Sequence, residues 1–265
     1  MLGFIGSVDL HNRGASAHPK KAGQLSAREL LYQRFLLYRE FYVADRPVVV
    51  CEGKTDNIYL LHAIRSLAHT FTDLAGVAPD GKISLKIRLF KHSGSRTARI
   101  VNLGDGGSGS LGSFIRTYKN EVSKFTAPGQ KHPVIILYDN DKGADGVAKG
   151  VKPTTVVKNN DGQESFSHLV RNLYSMPTPL VVGAKESKIE DFFEPALKET
   201  IVDGKKFGDA LGSDKATHYS KTVFAHKVVV PNAKHIDFSR FSPLLANIVA
   251  ILKYHAGKIS TDSED

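Results

Sequence analysis

Three acidic clusters in this chain have the types and spacing that chemistry requires. Glu52 directly follows the apolar run Pro47 to Cys51, Asp139 and Asp141 follow Pro133 to Tyr138, and Glu186 and Glu190 follow the apolar stretch Pro179 to Val182. Asp139 and Asp141 are two apart on a segment leaving a strand, so both can reach toward one ion. Carboxylates gathered at one place repel one another unless a cation is present, and hard oxygen ligands of this kind suit Mg²⁺ or Mn²⁺. A divalent ion so held activates water and stabilises the charge that develops on a phosphodiester during in-line displacement. Lys54 and Lys142 sit beside these acids and are candidate contacts for a substrate phosphate.

The elements that must position these acids are legible as patterns. Runs 47–51 and 133–138 are continuously apolar and rich in β-branched residues, the signature of strands buried on both faces of a parallel sheet. The segment after Glu52 carries Ile58, Leu60, Leu61, Ile64 and Leu67 at helical spacing, giving strand, tight turn, helix. Further strands are expected at 85–90, 99–103 and 179–182, and further helices at about 111–124 and 243–255. The run 25–42 reads as an amphipathic helix opened by Ser26 with Glu29 three residues on, a capping box. Residues 227–230 read as a strand or loop. Alternation of strands and helices predicts an α/β, Rossmann-like, largely parallel sheet with helices on both faces, an N-terminal helix and a C-terminal α-rich extension. Ligands of such sheets bind beyond the carboxyl ends of the strands. The divisions expected are 1–45, 46–199 and 200–265.

Composition narrows the classes. The chain has 265 residues, 36 Lys+Arg against 27 Asp+Glu, and a formal charge of +9, a balance that favours a polyanionic partner. One cysteine, Cys51, provides neither a disulfide nor a zinc site. No stretch approaches the roughly 20 apolar residues of a membrane helix, and the opening residues lack a secretory pattern, so the expected compartment is the cytoplasm.

The motifs CEGKTD, DND and KIEDFF, in that order and at strand ends, resemble the toprim domain of topoisomerases, bacterial primases, small ribosomal-RNA maturases and overcoming-lysogenization-defect nucleases. The pair Gly106-Gly107 resembles the small-residue turn before the second toprim helix. The resemblance covers roughly residues 46–195. It implies a general acid/base role for Glu52 and metal ligation by Asp139 and Asp141. Asp56 and Glu190 match further acidic positions of the nuclease-type members, where a second Mg²⁺ binds. The loop KGADG does not align, leaving Asp145 without a role. The opening LGFIGSVDLHNR and LLYQRFLLYREF look like the C-terminal part of retron reverse transcriptases with a fused toprim domain. That resemblance implies an antiphage effector whose partners are a reverse-transcriptase region and its multicopy single-stranded DNA and RNA. The sequence leaves the oligomeric state open.

Structural readings stand beside each of these. Glu52 and Thr55 suit a helix start, Asp139 and Asp141 suit a polar turn, and Glu186, Asp191 and Glu194 compete with Glu190. The loop GDGGSGSLGS lacks the Gly-Lys-Ser/Thr ending of a P-loop. His92, His132 and His168 are candidate bases, but no GxSxG nucleophile elbow accompanies them. The stripe Tyr32, Phe35, Tyr38, Phe41 and Tyr42 reads as a packing face. The expected activity is a metal-dependent endonuclease, with a slight lean to RNA over DNA from the likeness of EGKTD to the maturases. The alternatives are a non-catalytic nucleic-acid or polymerase-binding module, and a topoisomerase or primase. The last two lack room for a strand-passage domain and cysteines for a zinc module.

Overall fold

The structure is a computed structural model describing residues 25–91, 96–104, 106–148, 150, 152–208 and 214–262. Residues 1–12, one carrier of the retron resemblance, and His92 lie outside these residues.

Continuous β-branched runs become central strands because both faces of each must be covered. In chain order the elements are α1 (Ala27–Leu37), a π-turn (Tyr38–Tyr42), β1 (Val48–Cys51), α2 (Asp56–Ser66), β2 (Ala75–Val77), β3 (Ile83–Leu85), β4 (Arg88–Leu89), α3 (Arg96–Ile100), α4 (Ser108–Val122) and β5 (Val134–Tyr138). They continue with α5 (Asp145–Ala148), β6 (Thr155–Lys158), β7 (Glu164–Val170), β8 (Leu173–Pro177), a 3₁₀ turn (Ile189–Phe192), α6 (Pro195–Lys198), β9 (Lys206–Phe207) and β10 (His218–Tyr219). The chain closes with α7 (Lys221–Val223), a π-turn (Phe224–Val229), α8 (Val230–Asn232), a 3₁₀ turn (Ser239–Phe241) and α9 (Ser242–Asp262).

The main sheet has six strands in the order β4-β1-β5-β8-β7-β6. β4, β1, β5 and β8 are parallel, whereas on one side β7 runs antiparallel to β8 and β6 antiparallel to β7. This is a largely parallel α/β sheet consistent with a Rossmann-like fold. Alternate residues of the same strand feed different cores. Val49, Cys51, Ile135 and Leu137 pack with Tyr59 and Leu60 of α2 and with α9, whereas Val48, Val50, Val134 and Ile136 pack with α1 and α4. The region after residue 200 joins the first core through Phe224, Val228, Leu244 and Ile248.

Several sequence expectations are corrected. Residues 99–103 form no strand; α3 occupies Arg96–Ile100, where Ala98 and Val101 bury on helical spacing and the side chain of Gln33 in α1 donates to the carbonyl of Ile100. Residues 179–182 are a loop, because Pro179 lacks the N–H that would carry the ladder beyond Thr178. The strand in that place is β8, and Val182 is fully solvent-exposed. The expected strand at 85–90 is divided, β3 pairing with β2 and β4 joining the main sheet. Residues 227–230 are helical. The capping box at Ser26 is present, but Leu30, Leu31, Tyr32 and Phe35 of α1 are exposed while Leu36, Leu37, Phe41 and Tyr42 are buried.

Candidate active site

Consecutive parallel strands in chain order, β1, β4, β5 and β8, lie with β4 on one side of β1 and β5 on the other. The chain therefore turns in opposite directions from β1 and into β5, and the carboxyl ends of these two strands are the place where ligands of such sheets bind. Glu52 follows β1 and Asp139 follows β5, with Cys51 in register with Leu137. The carboxylate of Glu52 accepts from the backbone N–H of Asp139 at 3.2 Å. The Gly106-Gly107 turn closes on Glu52 from the other core. Gly107 donates its N–H to the carbonyl of Glu52 at 3.1 Å. Gly106 has φ +95°, and a Cβ there would stand 2.9 Å from the same carbonyl oxygen, so only glycine fits both the dihedral and the approach.

Asp139 Oδ1 accepts from the N–H of Ile189 at 3.0 Å, fastening the 3₁₀ turn to the end of β5. Asn140 and Ser187 exchange backbone hydrogen bonds of 2.8 and 2.9 Å, and the hydroxyl of Thr178 accepts from Asn140 N–H while donating to the carbonyl of Ser187. These bonds replace the strand expected at 179–182 and carry Glu190 inward, where it is 0% exposed. The competing acids are accounted for otherwise: Asp191 accepts from Lys188 N–H at 2.9 Å and from Lys198 at 3.1 Å, Glu194 faces Arg240, and Glu186 is exposed. On the helix side, Asp56 Oδ2 accepts from Gly53 N–H at 2.6 Å, and a Cβ on residue 53 would meet that carboxylate at 2.8 Å. Asp141 Oδ1 accepts from Gly143 N–H at 2.7 Å and caps the short 3₁₀ turn Lys142–Ala144.

Lys54 and Lys142 are exposed. The ammonium that does engage the acids is Lys221, at 2.8 Å from Glu190 Oε2 and 3.8 Å from Asp139 Oδ2. Sequence reasoning missed it; a lone Lys in HYSKT carries no signal beyond the missing counter-charge that the acids require. The stretch after residue 200 thus contributes directly to the site. Glu190 Oε1 is buried without a hydrogen-bond partner.

Burial raises the proton affinity of Glu52, Asp56, Asp139 and Glu190. Asp56 is pushed up to about 6 and Glu190 to about 7, each chiefly by burial, with neighbouring carboxylates adding to the effect and Lys221 opposing it. Glu52 and Asp139 are raised for the same first cause. Lys221 is raised despite burial because Glu190, then Asp139, holds its proton. Lys221, 2.8 Å away, opposes the rise at Glu190 without cancelling it, so Glu190 remains the most reluctant of these acids to ionise.

Among the described residues, no three Asp, Glu, His or Cys side chains stand close enough to enclose an ion. The donor set nevertheless suits a hard divalent cation in kind, with oxygen ligands only and one buried oxygen lacking a partner. His132 and His168 lie at the opposite end of the strands. No protein-family model matches the chain, and no solved structure matches it. No helix among the described residues is long and apolar enough to cross a membrane.

Proposed function

We propose that this chain is a Mg²⁺-dependent nuclease of the toprim type that hydrolyses phosphodiester bonds, RNA being favoured over DNA. The observation that carries this reading is the meeting of Glu52 and Asp139 at the reversal of strand order, with Asp141, Asp56 and Glu190 around them. The residues that would hold Mg²⁺, or Mn²⁺ in its place, are Glu52, Asp139 and Asp141, whose side chains would have to draw closer together than they stand without it; the ion would supply a Lewis acid for the phosphoryl oxygen and an acidified water. Burial strengthens Glu52 as a base, which suits it to take the proton of an attacking water. Lys221 supplies positive charge beside Glu190 and Asp139, so in this reading it stands where a second ion was expected. Asp56 is bound to Gly53 and holds the turn after β1 in shape.

The wider reading is the effector part of a retron defence system, with a reverse-transcriptase region and its single-stranded DNA and RNA as partners. The exposed apolar side chains Leu30, Leu31, Tyr32 and Phe35 support a protein neighbour on α1. A second function, a binding scaffold without catalysis, is favoured by the ion pairing of Lys221, which already balances part of the acidic charge. Incubation with single-stranded DNA, duplex DNA and structured RNA, with and without Mg²⁺ or Mn²⁺, separates the two. The nuclease reading expects metal-dependent cutting that disappears in Asp139→Asn while binding persists. Binding without cutting of any substrate, with a partner reverse transcriptase supplied, would leave only the scaffold.

A further inference from the structure

A second site lies at the other end of the same strands. Lys131 precedes β5 and Arg171 precedes β8, and because these strands are parallel both residues fall on the amino edge of the sheet. His255 and Lys258 of α9, one turn apart, complete a cleft of about 380 Å³ together with Gln130. At ~3.3 Å per residue, the eight residues from Lys131 to Asp139 separate this cleft from the carboxylates by roughly 25 Å.

His255 forms the floor of the cleft, and buried hydrogen bonds hold it and the adjoining turn in place. His255 is buried, with one ring nitrogen bonded to the hydroxyl of Tyr174 at 3.0 Å and the other to the carbonyl of Gln130 at 2.8 Å. Asn172, fully buried, donates to the carbonyls of His132 and Phe41 and accepts from the hydroxyl of Tyr118. Lys258 Nζ stands 3.4 Å from His168 Nε2, and Lys131 and Arg171 are exposed on the rim. Among the described residues no Asp or Glu lines the cleft; Asp45, which acts on nearby His132, is itself paired with Arg46 at 2.9 Å.

Backbone strain falls on the same place. Gln130 has φ +64° and Arg171 has φ +55°, two of the four non-glycine residues with positive φ among those described. Arg171-Asn172 is the two-residue turn joining β7 to β8, where Asn or Gly is preferred at the first position. An Arg held in a left-handed conformation at a turn that Gly or Asn would fill more easily indicates a side chain kept for its charge.

We propose that this cleft is a nucleic-acid phosphate site, separate from the carboxylates and independent of their chemistry. In a chain of +9 facing substrate with an acidic edge, it supplies attraction for the polyanion that the acidic edge withholds. The test is fluorescence anisotropy of the full chain with labelled single-stranded DNA and RNA in chelator, where no metal-dependent cutting runs, over a series of salt concentrations. The triple variant Lys131→Ala/Arg171→Ala/Lys258→Ala is compared with Lys82→Ala/Lys86→Ala/Lys234→Ala, which removes equal charge from exposed positions elsewhere. The cleft variant should bind at least ~10-fold more weakly than the control, with the slope of log K against log salt smaller by about two. Arg171→Asn, which suits the backbone and lacks the charge, should keep or raise the thermal midpoint while weakening binding. Equal losses in both triple variants, or unchanged binding by Arg171→Asn and the cleft triple, would overturn the site. So would poly-glutamate binding as tightly as the oligonucleotides and weakening equally in the cleft variant.

Discussion

The two edges of one sheet differ in every electrostatic respect. At the carboxyl edge, Glu52, Asp56, Asp139 and Glu190 are drawn out of water, their proton affinities rise, and one ammonium, Lys221, crosses from the C-terminal region to meet them. At the amino edge the charged ends of Lys131 and Arg171 stay at the surface, beside the neutral, hydrogen-bonded side chains of His255 and Asn172. Burial pushes the pKa of His255 down and so favours its neutral form. Charge buried at the first edge is costly and has to be compensated, whereas charge on the rim of the second is hydrated and available to a partner. The chemistry proposed for each edge follows that difference.

Removing the compensation should break the comparison most sharply. Lys221→Met would leave Glu190 and Asp139 buried without their cation, and a loss of about 3 kcal/mol in urea unfolding is expected. Adding Glu190→Gln to that variant should recover much of the loss. An unchanged urea midpoint in Lys221→Met would show that the pair contributes nothing to folding.

Catalysis comes next. Asp139→Asn preserves shape but removes a charge at the reversal of strand order, and metal-dependent cutting should fall at least ~100-fold in a gel assay, corresponding to about 2.7 kcal/mol of barrier. Wild-type cutting by this variant would refute the assignment of the site.

The same acids predict how stability varies with pH. Glu190 lies at about 7 against its ordinary 4.5, and Asp56 at about 6 against 3.8. The folded protein therefore holds protons that the unfolded chain releases, so the stability these groups contribute is complete below about pH 4 and is lost as pH rises to about 7. Either group alone corresponds to about 3 kcal/mol. Thermal melts without metal should show the midpoint falling across that window, with a shallower fall in Glu190→Gln, and Mg²⁺ should raise the midpoint more at about pH 7.5 than at pH 5.

Gly106→Ala forces a Cβ against the Glu52 carbonyl at a strained dihedral and is expected to cost about 1 to 3 kcal/mol and to weaken cutting. Lys131→Ala, on the opposite edge, should change stability by no more than ~0.5 kcal/mol, because its charge is already in water. A large loss there would show that the amino edge is built like the carboxyl edge after all.

The apolar runs at 47–51 and 133–138 were legible because each becomes a strand covered on both faces, and the acid following each lies at the edge where ligands of parallel sheets bind. Burial of alternate residues in two different cores confirms that logic for β1 and β5. Local pattern failed where a proline or a neighbouring helix decided the outcome. The apolar residues of 99–103 satisfy themselves on α3 against α1, and those of 179–182 lie in a loop because Pro179 ends the ladder. Glu190 was singled out from its motif, yet its inward direction depends on bonds from Asp139, Asn140 and Thr178, the nearest of them 12 residues away.

What the sequence determined alone is the strands β1 and β5, the opening of α1 at Ser26, and the acids that follow those strands, since each depends on neighbours within a few residues. Only the tertiary structure decided that Lys221 pairs with Glu190 and that Lys131, Arg171 and Lys258 share a cleft. Those pairings join residues from 31 to more than 100 positions apart. The energy of such a pairing comes from burial and charge, which only folding brings together.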